Sequence, residues 1–142
     1  MLIKGGQVVS ADRQGSANEY IAVGALASAD TAGGAIGIAN PFETEVIVTD
    51  VMIDVTTAAT ASATVDLGIA ADATTSADNL IDGANVGAGG DGARVYNSKK
   101  DAGTNGIGAK AWATTEYLTM SKATGALAGL VGRYTIKAIK RS

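Results

Sequence analysis

Asp50 and Asp54 lie in the run EVIVTDVMIDV, where apolar and polar residues alternate. On a strand this spacing puts both carboxylates on one face, two pleats apart. Paired carboxylates can hydrolyse glycosides, one as acid and the other as base or nucleophile. Sugar sites also carry aromatic platforms, and this chain has one Trp and one Phe. A solvated strand face accounts for the pair better. Ser98–Lys99 and Ser121–Lys122 come nearest to a serine–lysine nucleophile. Neighbours on a strand point to opposite faces, however, and no Ser is followed by Lys three residues on. The chain has no His and no Cys. The usual general base, the Ser–His and Cys–His pairs, thiolate metal sites and disulfides are therefore excluded.

Calcium is the next chemistry to weigh. Asp72, Asp78, Asn79, Asp82, Asn85 and Asp91 crowd the polar stretch ADATTSADNLIDGANVGAGGDG, and hard cations take loop carboxylates and carbonyls. The D-x-D-x-D-G spacing of a dedicated loop is missing, so solubility of a loop is the plainer reading. The terminal GAGGDG is Gly-rich like a phosphate cradle, but no GK[ST] follows and no helix is evident. Lys137, Lys140 and Arg141 form a basic tip. Three cations without interleaved aromatics, on a chain of net charge −3, fit an acidic protein partner better than nucleic acid. Tyr20, Tyr96, Trp112, Tyr117 and Tyr134 read as core or subunit contacts rather than ligand platforms.

The elements that must position these residues are strands. The 142 residues fit one domain, and hydrophobic content is 46% with only 4% aromatic, so the apolar mass is Ala, Val, Ile and Leu. Abundant Ala favours helix, but the period decides otherwise. Ala63, Val65, Leu67 and Ile69 alternate with Thr64, Asp66 and Gly68, as in a half-buried antiparallel strand. Residues 19–26, 35–40, 93–98, 109–120 and 133–140 read as further strands, the last with Tyr134, Ile136 and Ala138 on one face. In residues 45–55 strict alternation leaves two readings: both faces of the early part are covered, or a bulge near Thr49–Asp50 switches the phase. Residues 56–62 read as the connection to the next strand. Asn40–Pro41 marks a turn, and Asn105–Gly106 carries a turn signal. Residues 71–92 read as one long loop anchored by Leu80 and Ile81. Residues 121–132 read as a Ser/Gly loop with room for one helical turn. The expected architecture is an all-β antiparallel sandwich, jelly-roll-like, of about eight strands with long polar loops. Residues 1–18 read as an N-terminal arm or an irregular first strand, and 19–142 as a single β-sandwich domain.

Charge is unevenly spread. Nine of the 14 acids fall between Glu43 and Asp91, where no base occurs, and nine of the 11 bases follow Gly92. Either acidic early strands pair with basic late ones inside one sheet, or the molecule has two poles suited to head-to-tail contact with its own copies. No segment reaches the apolar length of a membrane span, and MLIKGGQVVSADRQG lacks the apolar run of a signal peptide. The expectation is a cytoplasmically made soluble protein, with no membrane partner.

The order NPFETEVIVTDVMIDVTTAATASATVDLGIA, SADNLIDG, WATTEYLTM, GLVGRYTIKAI resembles the small jelly-roll decoration (cement or head-stabilising) proteins of tailed bacteriophages. The shared elements are Asn40–Pro41, Asp54–Thr57, Gly68–Ala70, Asn79–Asp82 and Gly129–Gly132, within a stretch from Gly34 to Ile139. They are strand and turn patterns, not catalytic signatures. The resemblance implies a non-enzymatic virion structural protein without a cofactor. It would be a homo-oligomer, with a trimer favoured, that binds the major capsid protein on the outer capsid surface and stabilises the shell. Lys4 and Arg13 in the arm and Lys137, Lys140 and Arg141 in the last strand are the candidate capsid or subunit contacts. The alternative is a carbohydrate- or receptor-binding head or tail-fibre module, which would need an exposed aromatic cluster or a calcium loop.

Overall fold

A computed structural model describes residues 2–4, 7–11, 19–88 and 94–141. Eleven strands run through them: β1 (Leu2–Lys4), β2 (Gln7–Ala11), β3 (Glu19–Ala25), β4 (Ile36–Ala39), β5 (Val46–Thr57), β6 (Ala63–Ala70), β7 (Ile81–Asn85), β8 (Arg94–Asn97), β9 (Lys110–Trp112), β10 (Tyr117–Gly125) and β11 (Val131–Lys140). The larger sheet has the order β1-β2-β3-β11-β5-β8, with β9 also on β5, and the smaller sheet is β4-β10-β6-β7. Beyond the hairpin β1–β2, the chain is a ribbon doubled back on itself. β3 pairs with β11, β4 with β10, β5 with β8 and β9, and β6 with β7, all antiparallel. Rolling such a ribbon sends successive pairs to alternate sheets, which is the jelly-roll wrap.

One core lies between the sheets. From the large sheet it takes Val46, Val48, Val51, Ile53, Val55, Tyr134, Ile136 and Ala138, and from the small one Val65, Leu67, Ile69, Leu118 and Met120. Each fully buried Val, Leu or Ile contributes about 1.5–3 kcal/mol, so many small side chains make up for few rings. The alternation read in β6 and β11 is realised, with both expected inner faces buried. Three of the six rings gather at one corner. Phe42 lies 5.4 Å from Tyr20 and 6.1 Å, edge to face, from Trp112. The Asn40 amide ties the preceding turn to this corner. Its Nδ2 donates to the Thr44 and Trp112 carbonyls, and its Oδ1 accepts the Phe42 N–H. Across the large sheet Tyr134 sits opposite Gly24, where an added Cβ would stand 2.4 Å from the phenol oxygen. Glycine there leaves the space that the ring fills.

The two readings of β5 resolve in favour of the bulge. Lys137 pairs with Asp50 and Ala138 with Val48, so Thr49 is the extra residue. Val46 and Val48 before it and Val51, Ile53 and Val55 after it therefore all face the core. A second irregularity passes over Thr56. At both places the threonine hydroxyl donates to the facing strand, Thr49 to the Lys137 carbonyl at 3.1 Å and Thr56 to the Val131 carbonyl at 3.2 Å. A bulge interrupts the backbone ladder, and these hydroxyls occupy carbonyls beside the interruptions.

Other expectations need correction. The strand count exceeds eight for three reasons. The arm supplies β1 and β2, the edge beside β5 is shared by β8 and β9, and the 71–92 stretch contains β7. The segment IDGAN has no clean alternation, and only its pairing to β6 makes it a strand. β10 runs on to Gly125, and the segment after it closes through a turn in which the Leu130 N–H meets the Leu127 carbonyl. No helical turn forms there. The Asn105–Gly106 signal does fall in a turn of a loop, where the Gly106 N–H meets the Ala102 carbonyl, while β8 and β9 on either side lie end to end along β5. The left-handed glycines of that loop are Gly103 and Gly108.

Candidate interaction surface

The outer faces of the two sheets have different fates. The middle of the small sheet's outer face is covered by loops. Thr119, Ser121 and Gly68 point away from the core yet are buried. The Thr119 hydroxyl donates to the Thr75 carbonyl, Ser121 Oγ accepts the Gly33 N–H, and Asn79 clamps Ile69 through both its N–H and its carbonyl. Gly68 permits this cover, since an added Cβ would stand 2.6 Å from Asn79 Oδ1. The large sheet has no such blanket among the described residues. Met52 and Ile139 are 38% exposed, Val131 54% and Val95 61%.

Register orders this bare face into rows across the strands. Val95, Asp54, Arg133 and Ala25 form one row, and Asn97, Met52, Thr135 and Val23 the next. Asp50, Lys137 and Ile21 follow, then Ala111, Ile47, Ile139 and Glu19. Directly opposed residues share a face. Asp54 is thus matched with Arg133 and Asp50 with Lys137, while Arg141 Nη1 meets Glu45 Oε2 at 3.2 Å at the strand end. The acidic and basic halves of the sequence are in this way laid against one another inside one sheet, and β5 and β11 do not form separate poles.

The candidate contact residues are scattered over the molecule. Lys137 lies on the bare face, and Lys140 is exposed near the end of β11. Arg141 is half exposed and tied to Glu45. Lys4 ends β1, opposite Gln7 on the outermost hairpin of the large sheet. Arg13 lies outside the described residues. Sequence reasoning missed the apolar members Val95 and Val131, while Met52 was legible on the face of Asp50 and Asp54. Ile139 was legible as an apolar residue on the polar side of β11.

The residues considered for chemistry are engaged in structure. Ser98 is fully buried. It accepts the Val51 N–H beside the bulge and donates to the Gly108 carbonyl. Asp72 accepts the Thr74 N–H and the hydroxyls of Thr74 and Thr75. These bonds, the Thr75 hydroxyl first, hold its carboxyl below the ordinary range. Asn105 bridges Asp78 and Asp82, donating to each. Burial raises the Asp66 carboxyl above its ordinary value, the Gly83 N–H opposes this, and the charges of Asp82 and Asp78 add to it. Among the described residues no group of three or more carboxylates is gathered to hold a metal ion. Asp91 and most of GAGGDG lie outside them. Trp112, Phe42 and Tyr134 are buried and give no platform to a sugar.

Arg94 and Tyr96 of β8 close one side of the sandwich. The guanidinium donates to the Asn85 carbonyl at 2.7 Å and to the Gly87 carbonyl at 3.0 Å, and the Tyr96 hydroxyl also donates to Asn85. These bonds join the edge of the large sheet to the end of β7 in the small one.

Comparison of the chain with protein-family models, curated proteins and solved structures found no match.

Proposed function

We propose that this chain is a decoration protein of a tailed-phage capsid, a structural protein that binds the outer shell as an oligomer and stabilises it. The observation that carries the reading is where the motifs shared with decoration proteins fall. Asn40–Pro41 turns the chain toward β5, and Asp54–Thr57 ends β5. Gly68–Ala70 ends β6, Asn79–Asp82 leads into β7, and Gly129–Gly132 leads into β11. Every shared motif is a strand end or a turn, so the likeness is one of architecture, in a jelly-roll order, and not of a catalytic site. The work would be done by surface. Each copy contributes modest binding, and many copies on a lattice add to a shell that resists internal pressure. The carbohydrate- or receptor-binding alternative requires an exposed aromatic cluster or a calcium loop; three of the six rings are buried, and Tyr20 and Tyr96 are partly buried against the core.

The test is co-sedimentation of the purified protein with expanded heads built from a major capsid protein encoded in a neighbouring reading frame; the absence of such a frame would itself count against the reading. Saturable binding at a fixed ratio, with a higher temperature of head rupture, is the expected result. Heads that neither retain the protein nor gain stability would refute the reading.

A further inference from the structure

We propose that the bare outer face of the large sheet binds a second copy of the same chain, face to face, about a two-fold axis running along the β5–β11 seam. The inference rests on the order of charges on that face and does not depend on the capsid reading. A two-fold axis parallel to the strands, midway between β5 and β11, lays each β5 over the partner's β11 with the rows in step. Asp54 then faces Arg133 of the partner subunit, and Asp50 faces Lys137 of the partner subunit. Met52 and Ile47 meet Thr135 and Ile139 in the same way, because these are the residues opposed in register within one sheet. Every carboxylate in the two charged rows gains a second base, and every base a second carboxylate. An axis running across the strands would set Asp50 against Asp54, so the pattern selects one geometry. Such a contact is isologous, the same patch serving both subunits.

Exposure supports the choice of face. The small sheet buries even its outward Thr119 and Ser121 under loops, while this face leaves Met52, Val95, Val131 and Ile139 in solvent. The four central strands at about 4.8 Å spacing and seven residues at about 3.4 Å rise give a flat footprint of roughly 450 Å² per copy. That is the low end of specific interfaces, so a reversible dimer is expected, weakened by salt.

The experiment uses the full chain and a charge-swapped variant, Asp50→Lys, Asp54→Arg, Arg133→Asp and Lys137→Asp together. Each swapped pair remains matched within its own sheet, and a thermal melt checks the fold. By the proposed geometry the variant also remains complementary to itself, but it opposes like charges to the wild type. Sedimentation and native mass measurements should give dimers of each protein alone. A mixture should give mixed dimers at no more than about a tenth of the statistical share, because opposed like charges exclude the wrong partner. Met52→Glu should weaken the wild-type dimer by about tenfold, since it puts an unpaired charge into the contact. Wild-type protein that is monomeric at high concentration and low salt overturns the proposal, and so does a trimer. Free mixing of the two proteins also overturns it. If the swapped variant fails to fold, the Met52→Glu result decides alone, and an unweakened dimer refutes the proposal.

Discussion

Deleting Thr49 tests the account of β5 most sharply. A single-residue deletion in a central strand normally turns one side of it inside out, because side chains alternate with a period of two. Thr49 is the exception, since the ladder already passes over it: Asp50 pairs with Lys137 and Val48 with Ala138. Without Thr49 the strand reads Val46 in, Ile47 out, Val48 in, Asp50 out, Val51 in, which is the observed burial. The loss is the hydroxyl bond to the Lys137 carbonyl, about 0.5–1.5 kcal/mol, plus an adjustment of β9 along the edge. Deleting Met52 is the matched control. Thr49 can then rejoin the ladder and restore the register at Val48, but Val51 turns out to solvent and Asp50 turns in. Val51 is fully buried, so exposing it costs about 1.5–3 kcal/mol, and taking a carboxylate into the core costs several kcal/mol more. The difference between the two deletions is therefore at least about 3 kcal/mol, a large part of the stability of a domain this size. Urea denaturation followed by the fluorescence of Trp112 measures it. Equal destabilisation by the two deletions, or an unfolded Thr49 deletion beside a folded Met52 deletion, would refute the bulge as the device that sets the phase.

Asp66→Asn keeps an acceptor for the Gly83 N–H and removes a carboxylate whose folded pKa is raised by burial and by its acidic neighbours. A raised carboxylate pKa means that the folded state prefers the proton, so ionised Asp66 weakens the fold at neutral pH. The variant should melt higher than the wild type at pH 7. The gain should shrink as pH falls through the raised folded value and vanish below the ordinary value of 3.8; a pH-independent difference would contradict this. Arg94→Ala should cost about 1.5–3 kcal/mol by leaving the Asn85 and Gly87 carbonyls without their charged donor. Amide exchange should quicken around residues 85–88, and an unchanged exchange pattern would deny the clamp its role. Removal of residues 1–15 takes away the hairpin β1–β2 but leaves the β3–β11 pairing intact. The truncated protein should keep its circular dichroism and melting transition and bind capsids less well; capsid binding equal to that of the full chain would remove the arm from the contact.

Alternation alone determined much of this protein. Apolar residues at every second position made β6 and β11 readable with their inner faces, because a strand buries one side at a time. Asn40–Pro41 was readable as a turn because both residues act on their own backbone. The missing His and Cys ruled out whole chemistries by composition. Tertiary structure decided what depends on a neighbour. Whether β5 bulges or is covered on both faces cannot be told from β5, since the answer is the register of β11 beside it. IDGAN becomes a strand only through the ladder that β6 offers. The acidic and basic stretches come to lie opposite one another because the wrap carries β11 back against β5, residues some 80 positions apart in sequence. The buried outer face of the small sheet and the bare one of the large sheet follow from where loops 29–34 and 71–80 come to rest. That is a matter of hydrogen bonds of Ser121 and Thr119 with residues 88 and 44 positions away, which no local pattern encodes, with Asn79 holding Ile69 ten positions back.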